Sequence, residues 1–371
     1  MTDSVDTFIA WYNNLFKTSY LYEQMERTVE DSLWHRERNV AVHTDMVVSQ
    51  YLSRCNVNGL FSIVGALACT FHDVGKPNSM TQKFREDRGT YNAFNGHEQV
   101  SARLWEHYAV ANWKNLVDAF GLVPHDIYKV AVMIEHHVPW GMRDKKKLDA
   151  VILTQLSNTW KDVYSDVLLS DTYGRISDDA EEKQEKSRRW VQTEIGKREG
   201  WDWYSDIPEN GKVVYFPISA SGGGKSTLYK GNGFKDVEYF SLDALRHDWY
   251  DADDYENAFA MSCKDKGFIH KAQKHYQQML RDGIKKLFVD NTNTTRKTRR
   301  FWVQEARNRG YKTIAYLFPS DRETLVARQE SREDKTVPAD AVLRQYAQIQ
   351  MPLYYGEFDE IIVIDNNLPG A

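Results

Sequence analysis

The stretch Val213 to Thr227 (VVYFPISASGGGKST) constrains the fold more than any other in this 371-residue chain. A short run rich in valine and aromatics ends near Pro217 and opens into three consecutive glycines, followed by Lys225, Ser226 and Thr227. The order is that of a strand, a phosphate loop and a helix start. Glycines free to take positive φ let backbone N–H groups close around phosphate oxygens, and the helix start adds its dipole. In such a loop Lys225 meets the β and γ phosphates and Ser226 holds Mg²⁺, while Ser221, Gly222, Gly223, Gly224 and Thr227 complete the cradle of a nucleotide. The full pattern has glycine where Ser219 stands, a departure that bears on nucleotide affinity rather than on reaction type.

Composition and charge bound the rest. With 42% hydrophobic and 27% charged residues, the chain is an ordinary globular one, long enough for two domains. Its net charge of −5 gives no global basic footprint, so nucleic acid would have to be held by local patches. Cys55, Cys69 and Cys263 lie far apart and are odd in number, which suits a reducing cytoplasm better than a zinc site or a disulfide framework. Asp3 and Asp6 stand where a secretory signal needs positive charge, and no apolar run approaches about 18 residues, so neither export nor a membrane span is expected.

The texture changes once along the chain. Over 1–200, apolar residues recur at helical intervals, as in Val40-Val42-Met46-Val47-Tyr51 and Ile127-Val130-Ala131-Ile134, and Pro124 looks like a helix start. This predicts an all-α domain. The stretch 201–211 (WDWYSDIPENG) carries Pro208 and Asn210-Gly211 and reads as a linker. Over 212–371, strands are expected at Lys212–Ile218, Val237–Ser241, Lys286–Asp290, Thr313–Phe318 and Asp359–Ile364, alternating with helices. That alternation predicts an α/β domain with a parallel sheet and ligands at the carboxyl ends of its strands.

The first half holds a histidine and aspartate set. His72-Asp73 closes an apolar stretch, and an adjacent His and Asp there can reach one metal. Around the pair lie His43, His97, His136-His137 and Asp171, each in or beside a helical apolar stretch. This order resembles the HD phosphohydrolase superfamily, all-helical enzymes that bind one or two divalent metals and hydrolyse phosphate esters. The resemblance implies a first metal on His43, His72, Asp73 and Asp171, and a second bridged by Asp73 and held by His97 and His136, with His137 as the alternative. Two such metals would lower the pKa of a bound water and clamp the attacking and leaving oxygens. Lys76 would neutralise a phosphate oxygen, and His35 would add a substrate contact.

The second half holds a set suited to phosphoryl transfer. Ser241-x-Asp243-x-x-Arg246 follows a strand, so Asp243 can accept the proton of an attacking hydroxyl and Arg246 can pair with an acceptor phosphate. At the next strand end Asp290 would hold a magnesium-bound water, with Asn291 or Asn293 at the acceptor. The run Arg296-Lys297-x-Arg299-Arg300 is a local basic patch in which Arg296 and Arg300 would meet a polyanionic strand. Arg328 and Arg332, four apart on a helical stretch, suit a lid over the nucleotide phosphates.

This set resembles the kinase domain of the polynucleotide kinase family through the phosphate loop, SLDALR, DNTN, the paired lid arginines and the terminal GEFDEIIVID strand. With the HD-type half in front, the chain is similar over nearly its full length to bifunctional HD-domain polynucleotide kinases. The resemblance implies an end-healing enzyme: ATP or another NTP with Mg²⁺ phosphorylates 5′-OH ends of RNA or DNA, and the HD module removes 2′,3′-cyclic, 2′- and 3′-phosphates. A histidine-rich set favours Mn²⁺, Co²⁺, Ni²⁺, Cu²⁺ or Zn²⁺ there, and a separate ligase would seal the healed ends. Two rivals stand beside this reading: an HD nucleotidase fused to a small-molecule kinase, and a nucleotide-gated RNA-binding regulatory protein. Retention of Lys225, Asp243, Asp73 and the metal set argues against the last.

Overall fold

The computed structural model describes residues 2–30, 35–86, 89–137, 158–195, 211–250, 254–332, 337–354 and 357–368. The expected linker at 201–211 lies outside them except for Gly211, as does the end of the charge-rich stretch at 196–200. The chain divides into two compact units, Met1–Asp202 and Trp203–Ala371.

The first unit is helical. Its described helices are α1 (Thr2–Trp11), α2 (Tyr20–Arg27), α3 (Val40–Asn58), α4 (Ile63–Phe71), α5 (Lys76–Ser79), α6 (His97–Ala111), α7 (Trp113–Phe120), α8 (Pro124–Glu135), α9 (Asn158–Tyr173) and α10 (Ala180–Trp190). Helix α4 is its axis: every residue from Val64 to Phe71 is buried, and α3, α8 and α9 pack around it. Local chemistry sets the ends of its neighbours. The Asn39 side chain accepts the Val42 N–H at 2.9 Å to start α3, which stops at Gly59 in the left-handed region. Pro124 opens α8, and the Asp126 carboxylate accepts the N–H of Val123 at 3.0 Å.

The unit is not all-helical. Two antiparallel pairs interrupt it, β1 (Val29–Glu30) with β2 (Arg38–Asn39), and β3 (Thr81–Arg85) with β4 (Gly89–Ala93). Neither pair buries a full face, so no apolar alternation announced them in the sequence.

In the second unit the five expected strands are present and parallel, with the order β6 (Glu238–Phe240), β7 (Lys286–Val289), β5 (Val213–Ile218), β8 (Lys312–Leu317) and β9 (Glu360–Val363). Helices α11 (Lys225–Lys230), α12 (Leu242–Tyr250), α13 (Tyr255–Lys264), α14 (Phe268–Arg281), α15 (Arg296–Asn308), α16 (Arg322–Glu330) and α17 (Ala339–Ala347) lie between the strands in sequence. The central strands are buried almost throughout, as a sheet covered on both faces requires. Strand order turns outward in both directions from β5, so the ends of β5 and β7 meet at the crevice where such sheets bind ligands. Among the described residues no helix is long and apolar enough to cross a membrane.

Candidate active sites

Four imidazoles of the first unit share one arrangement. Nδ1 of His43, His72, His97 and His137 lies 2.7 to 3.1 Å from the backbone carbonyls of Gly174, Cys69, Phe94 and Ile134 respectively. A carbonyl only accepts, so each Nδ1 carries a proton, and a ring that carries no second proton presents an Nε2 lone pair. These lone pairs face one another: His43 and His72 at 3.2 Å, His97 and His137 at 3.3 Å. Two lone pairs cannot bond each other; a proton on one ring or a metal ion between the two resolves the conflict.

The carboxylates complete two donor sets. Around His43 and His72 lie Asp73 Oδ2 and Asp171 Oδ1, with donor separations of 3.1 to 3.8 Å. Asp73 Oδ1 turns to the other set, 3.1 Å from His97 Nε2 and 3.5 Å from His137 Nε2. That oxygen is buried and makes no hydrogen bond among the described residues. Metal bonds of about 2.1 Å place tetrahedral donors about 3.4 Å apart, so both sets fit a divalent ion and Asp73 spans them.

The charge balance points the same way. Four buried carboxylates, Glu30, Glu37, Asp73 and Asp171, face two cations, Lys76 and Arg175, which leaves two negative charges uncompensated. Burial opposes a charge on His43, yet Asp171 and Glu37 raise its pKa to about 9. The carboxylates demand positive charge at this point, from a proton or a metal. Lys76 is likewise opposed by burial but held above its usual range by Asp73 and Glu30. It bonds both, 2.6 Å from Asp73.

Tight backbone approach builds the pocket. A Cβ on Gly174 would meet Val47 N at 2.8 Å, so only glycine lets the end of α9 come close enough to α3 for its carbonyl to receive His43. His137, rather than the expected His136, faces Asp73 and His97. The two stand at the irregular end of α8, where a one-residue step redirects the side chain, and the bond from His137 Nδ1 to Ile134 O aims its Nε2 inward. His136 is buried, and its own carbonyl accepts the Tyr164 hydroxyl. His35 sits beside this pocket, 3.6 Å from Glu37 and 3.7 Å from Glu30. Burial, and then the charge of Lys76, lower its pKa to about 4.

Glu30, Glu37 and Arg175 had not been singled out from sequence. Arg175, just past the end of α9, bonds Asp171 in that helix's last turn. If the sets bind metal, millimolar Mn²⁺ should raise the unfolding temperature of the first unit, by the equivalent of about 2.7 kcal/mol at a hundredfold excess over Kd, and chelation should reverse it. Calorimetry checks this; a melting temperature indifferent to Mn²⁺ and the other transition ions counts against the assignment.

In the second unit, Ser219 to Gly224 turn between β5 and α11, with Gly222 and Gly224 at φ of +89° and +95°. Lys225 Nζ donates to the loop carbonyl of Ala220 at 2.8 Å. Ser219 is buried, its Oγ packed where a Cβ on Gly223 would fall and without a hydrogen bond among the described residues. Ser221 N–H donates to the Gln345 side chain at 2.9 Å. Thr227 lies one residue beyond Ser226 in α11 and is exposed. The Ser226 hydroxyl donates to Asp290 at 3.0 Å, and the Tyr239 hydroxyl donates to the same oxygen at 2.7 Å. Asp290 therefore stands with the phosphate loop, where it suits Mg²⁺ and its waters. Arg328 reaches the loop, bonding Asn367 at 2.5 Å and lying 3.4 Å from the Gly222 carbonyl. Arg332 follows the end of α16, its N–H on Gln329 O.

Asp243 lies in the first turn of α12 with its N–H on Ser241 Oγ at 3.2 Å. Ser241 is thus the cap, and the Asp243 carboxylate instead accepts from Arg246 at 2.5 Å and from Tyr255 at 2.8 Å. Arg246 also donates to Ser262 at 3.0 Å and lies over the Phe259 ring, 5.0 Å from its centre. Tyr255, Phe259 and Ser262 recur at one helical face of α13, which thereby holds the Asp243–Arg246 pair. This helix was absent from the sequence expectations.

The expected acceptor patch is smaller than its sequence suggests. Asn293 is buried at positive φ, its amide on Pro217 O and Val289 O, and Asn291 accepts the Leu242 N–H. Arg296 faces Met351 O, and Arg299 is fully buried; Lys297 and Arg300 are the exposed cations of the run. Turn chemistry and core capping account for residues that composition alone presented as a strand-binding surface.

Residues 219–353 match the family model described as an AAA domain. No curated protein matches the chain. Among solved structures, a candidate kinase from Chloroflexus aurantiacus is similar at 15% identity and a TM-score of 0.33, covering 43% of this chain and 87% of its own. A gluconokinase from Sinorhizobium meliloti is similar at 16% identity and a TM-score of 0.29, covering 41% and 81%. Scores this low carry no argument about either unit. The family match, with the loop and parallel sheet, makes the second unit a P-loop domain, which implies a nucleoside triphosphate and Mg²⁺ as its ligands.

Proposed function

We propose that the chain is a bifunctional nucleic-acid end-healing enzyme, phosphorylating 5′-OH polynucleotide ends from an NTP and hydrolysing 2′,3′-cyclic, 2′- and 3′-phosphate ends. The observation that carries the reading is Asp73, whose two oxygens face two histidine sets in one unit of a chain whose other unit is a P-loop domain. A divalent metal pair on these residues would supply an activated water and charge neutralisation for phosphoester hydrolysis. The protein's own part is to fix the imidazole tautomers, hold Lys76 charged beside Asp73 and surround both with buried groups.

In the P-loop unit Lys225 and the loop amides hold the donor phosphates, and Ser226 and Asp290 form the Mg²⁺ end of the site. The acceptor hydroxyl gives its proton to Asp243 as its oxygen bonds the γ-phosphorus, and the bond from that phosphorus to the β–γ bridging oxygen breaks to release the diphosphate. Arg246 pairs with the acceptor's phosphate. Tyr255 positions Asp243: Tyr255→Phe should lower kcat for 5′ phosphorylation about tenfold, leaving KM for the nucleotide and the unfolding temperature unchanged. A loss confined to KM or to stability would assign Tyr255 to packing.

The test of the whole reading is one RNA oligonucleotide carrying a 5′-OH and a 2′,3′-cyclic phosphate, incubated with ATP, Mg²⁺ and Mn²⁺, with both ends read by mass. Gain of a 5′ phosphate and loss of the cyclic phosphate are expected. The engaged Arg296 and buried Arg299 favour the rival with a small-molecule acceptor; unchanged ends with consumption of free nucleotides would select it.

A further inference from the structure

Between Lys76 and His97 the chain leaves the metal-fitting pocket and returns to it, and the excursion is the β3–β4 hairpin. Its register runs from Thr81 opposite Ala93 to Arg85 opposite Gly89. Every residue of β3 is exposed, Phe84 at 71%. A lone two-stranded hairpin is marginal in water.

The alternation of a strand sorts its side chains onto two faces. Lys83 and Arg85 share one face with Tyr91, the register partner of Lys83; Gln82 and Phe84 share the other with Asn92 and Thr90, their partners. No carboxylate among the described residues pairs with Lys83 within ion-pair distance, and Glu86 lies beyond the last registered pair. The base of the hairpin is tied to the pocket. Asn92 donates to Val29 O at 3.2 Å, next to Glu30, which bonds Lys76; the Lys76 ammonium lies 5.6 Å from the centre of the Phe94 ring.

We propose that this hairpin is the docking surface for the single strand that leads into the hydrolytic site, with Lys83 and Arg85 on its phosphates and Tyr91, on the same face, against its bases. The proposal rests on the end-healing reading. Two cations beside an aromatic suit a flexible polyanion with stackable bases, whose recognition is sequence-tolerant and salt-sensitive. The hairpin's attachment between the pocket residues Lys76 and His97 sets its base beside that pocket, within reach of a strand whose end is held there, whereas a mononucleotide needs no such surface.

The test uses the full chain with Mn²⁺ and two substrates, a 2′,3′-cyclic mononucleotide and an oligoribonucleotide with the same end. For Lys83→Ala/Arg85→Ala and for Tyr91→Ala, kcat/KM on the oligonucleotide should fall about tenfold while that on the mononucleotide is unchanged. The double variant should also reduce the slope of log affinity against log salt by about 1.4. Equal losses on both substrates, or no loss on either, would overturn the proposal; a changed oligomeric state would make the hairpin a protein interface instead. Should wild-type protein hydrolyse neither substrate, the end-healing reading falls, and anisotropy of a labelled oligoribonucleotide still decides the hairpin: weaker binding by the variants upholds it, equal binding removes it.

Discussion

Asp73→Asn is expected to lower 3′-end phosphate hydrolysis by about a thousandfold while leaving 5′ phosphorylation at the wild-type rate. The substitution keeps the side chain's shape but removes its charge and replaces one acceptor oxygen with a donor. In the folded protein one Asp73 oxygen faces His43 and His72 and the other faces His97 and His137, so neither donor set survives intact. Loss of several kcal/mol of charge stabilisation at the reacting phosphate corresponds to that factor. Both ends of one oligonucleotide are read by mass, with metal content by elemental analysis. The converse variant, Asp243→Ala, should abolish phosphorylation and spare hydrolysis. A single substitution that silenced both activities would mean one composite site.

The second large effect is on stability. Arg299 is fully buried and caps the carbonyls of Asn293, Thr294, Gln350 and Met351 at 3.0 to 3.3 Å. Its guanidinium also meets both oxygens of the buried Glu357, at 2.5 and 3.0 Å. Arg299→Met would leave Glu357 buried without its counter-charge and four carbonyls without that donor, a change worth about 3–5 kcal/mol. Against a domain stability of about 5–15 kcal/mol, that is a large share. Calorimetry should show the P-loop unit melting far earlier while the first unit keeps its transition. Glu357→Gln in the same background should add less than it costs alone, because the two groups are coupled. A shift within about 0.5 kcal/mol for Arg299→Met would show that the pair contributes no more than an exposed substitution.

How much was legible in the sequence depended on whether a feature acts through local pattern. The five strands and the phosphate loop were, because buried parallel strands read as apolar runs and loop glycines as a contiguous motif. The cluster of His43, His72, Asp73, His97 and Asp171 was also legible as a set of residue types, and the structure brings these residues together. The choice between His136 and His137 was not, since adjacent residues at a helix end differ only in the backbone angles that aim them. Arg299 misled for a related reason: in sequence it belongs to a basic run, and only its position in α15 turns it inward to Glu357. Tyr255 was invisible because its partner Asp243 lies on a different helix.

By itself the sequence determined element types, the change of texture between the halves and the inventory of metal- and phosphate-binding side chains, since these follow from hydrophobic period, turn residues and ligand chemistry. Tertiary structure decided which of those side chains are aimed at one another and which are consumed as structural donors. The physical reason is that burial makes a polar group's direction a matter of which carbonyl or carboxylate lies within about 3 Å of it, and such partners come from elements far apart in the chain.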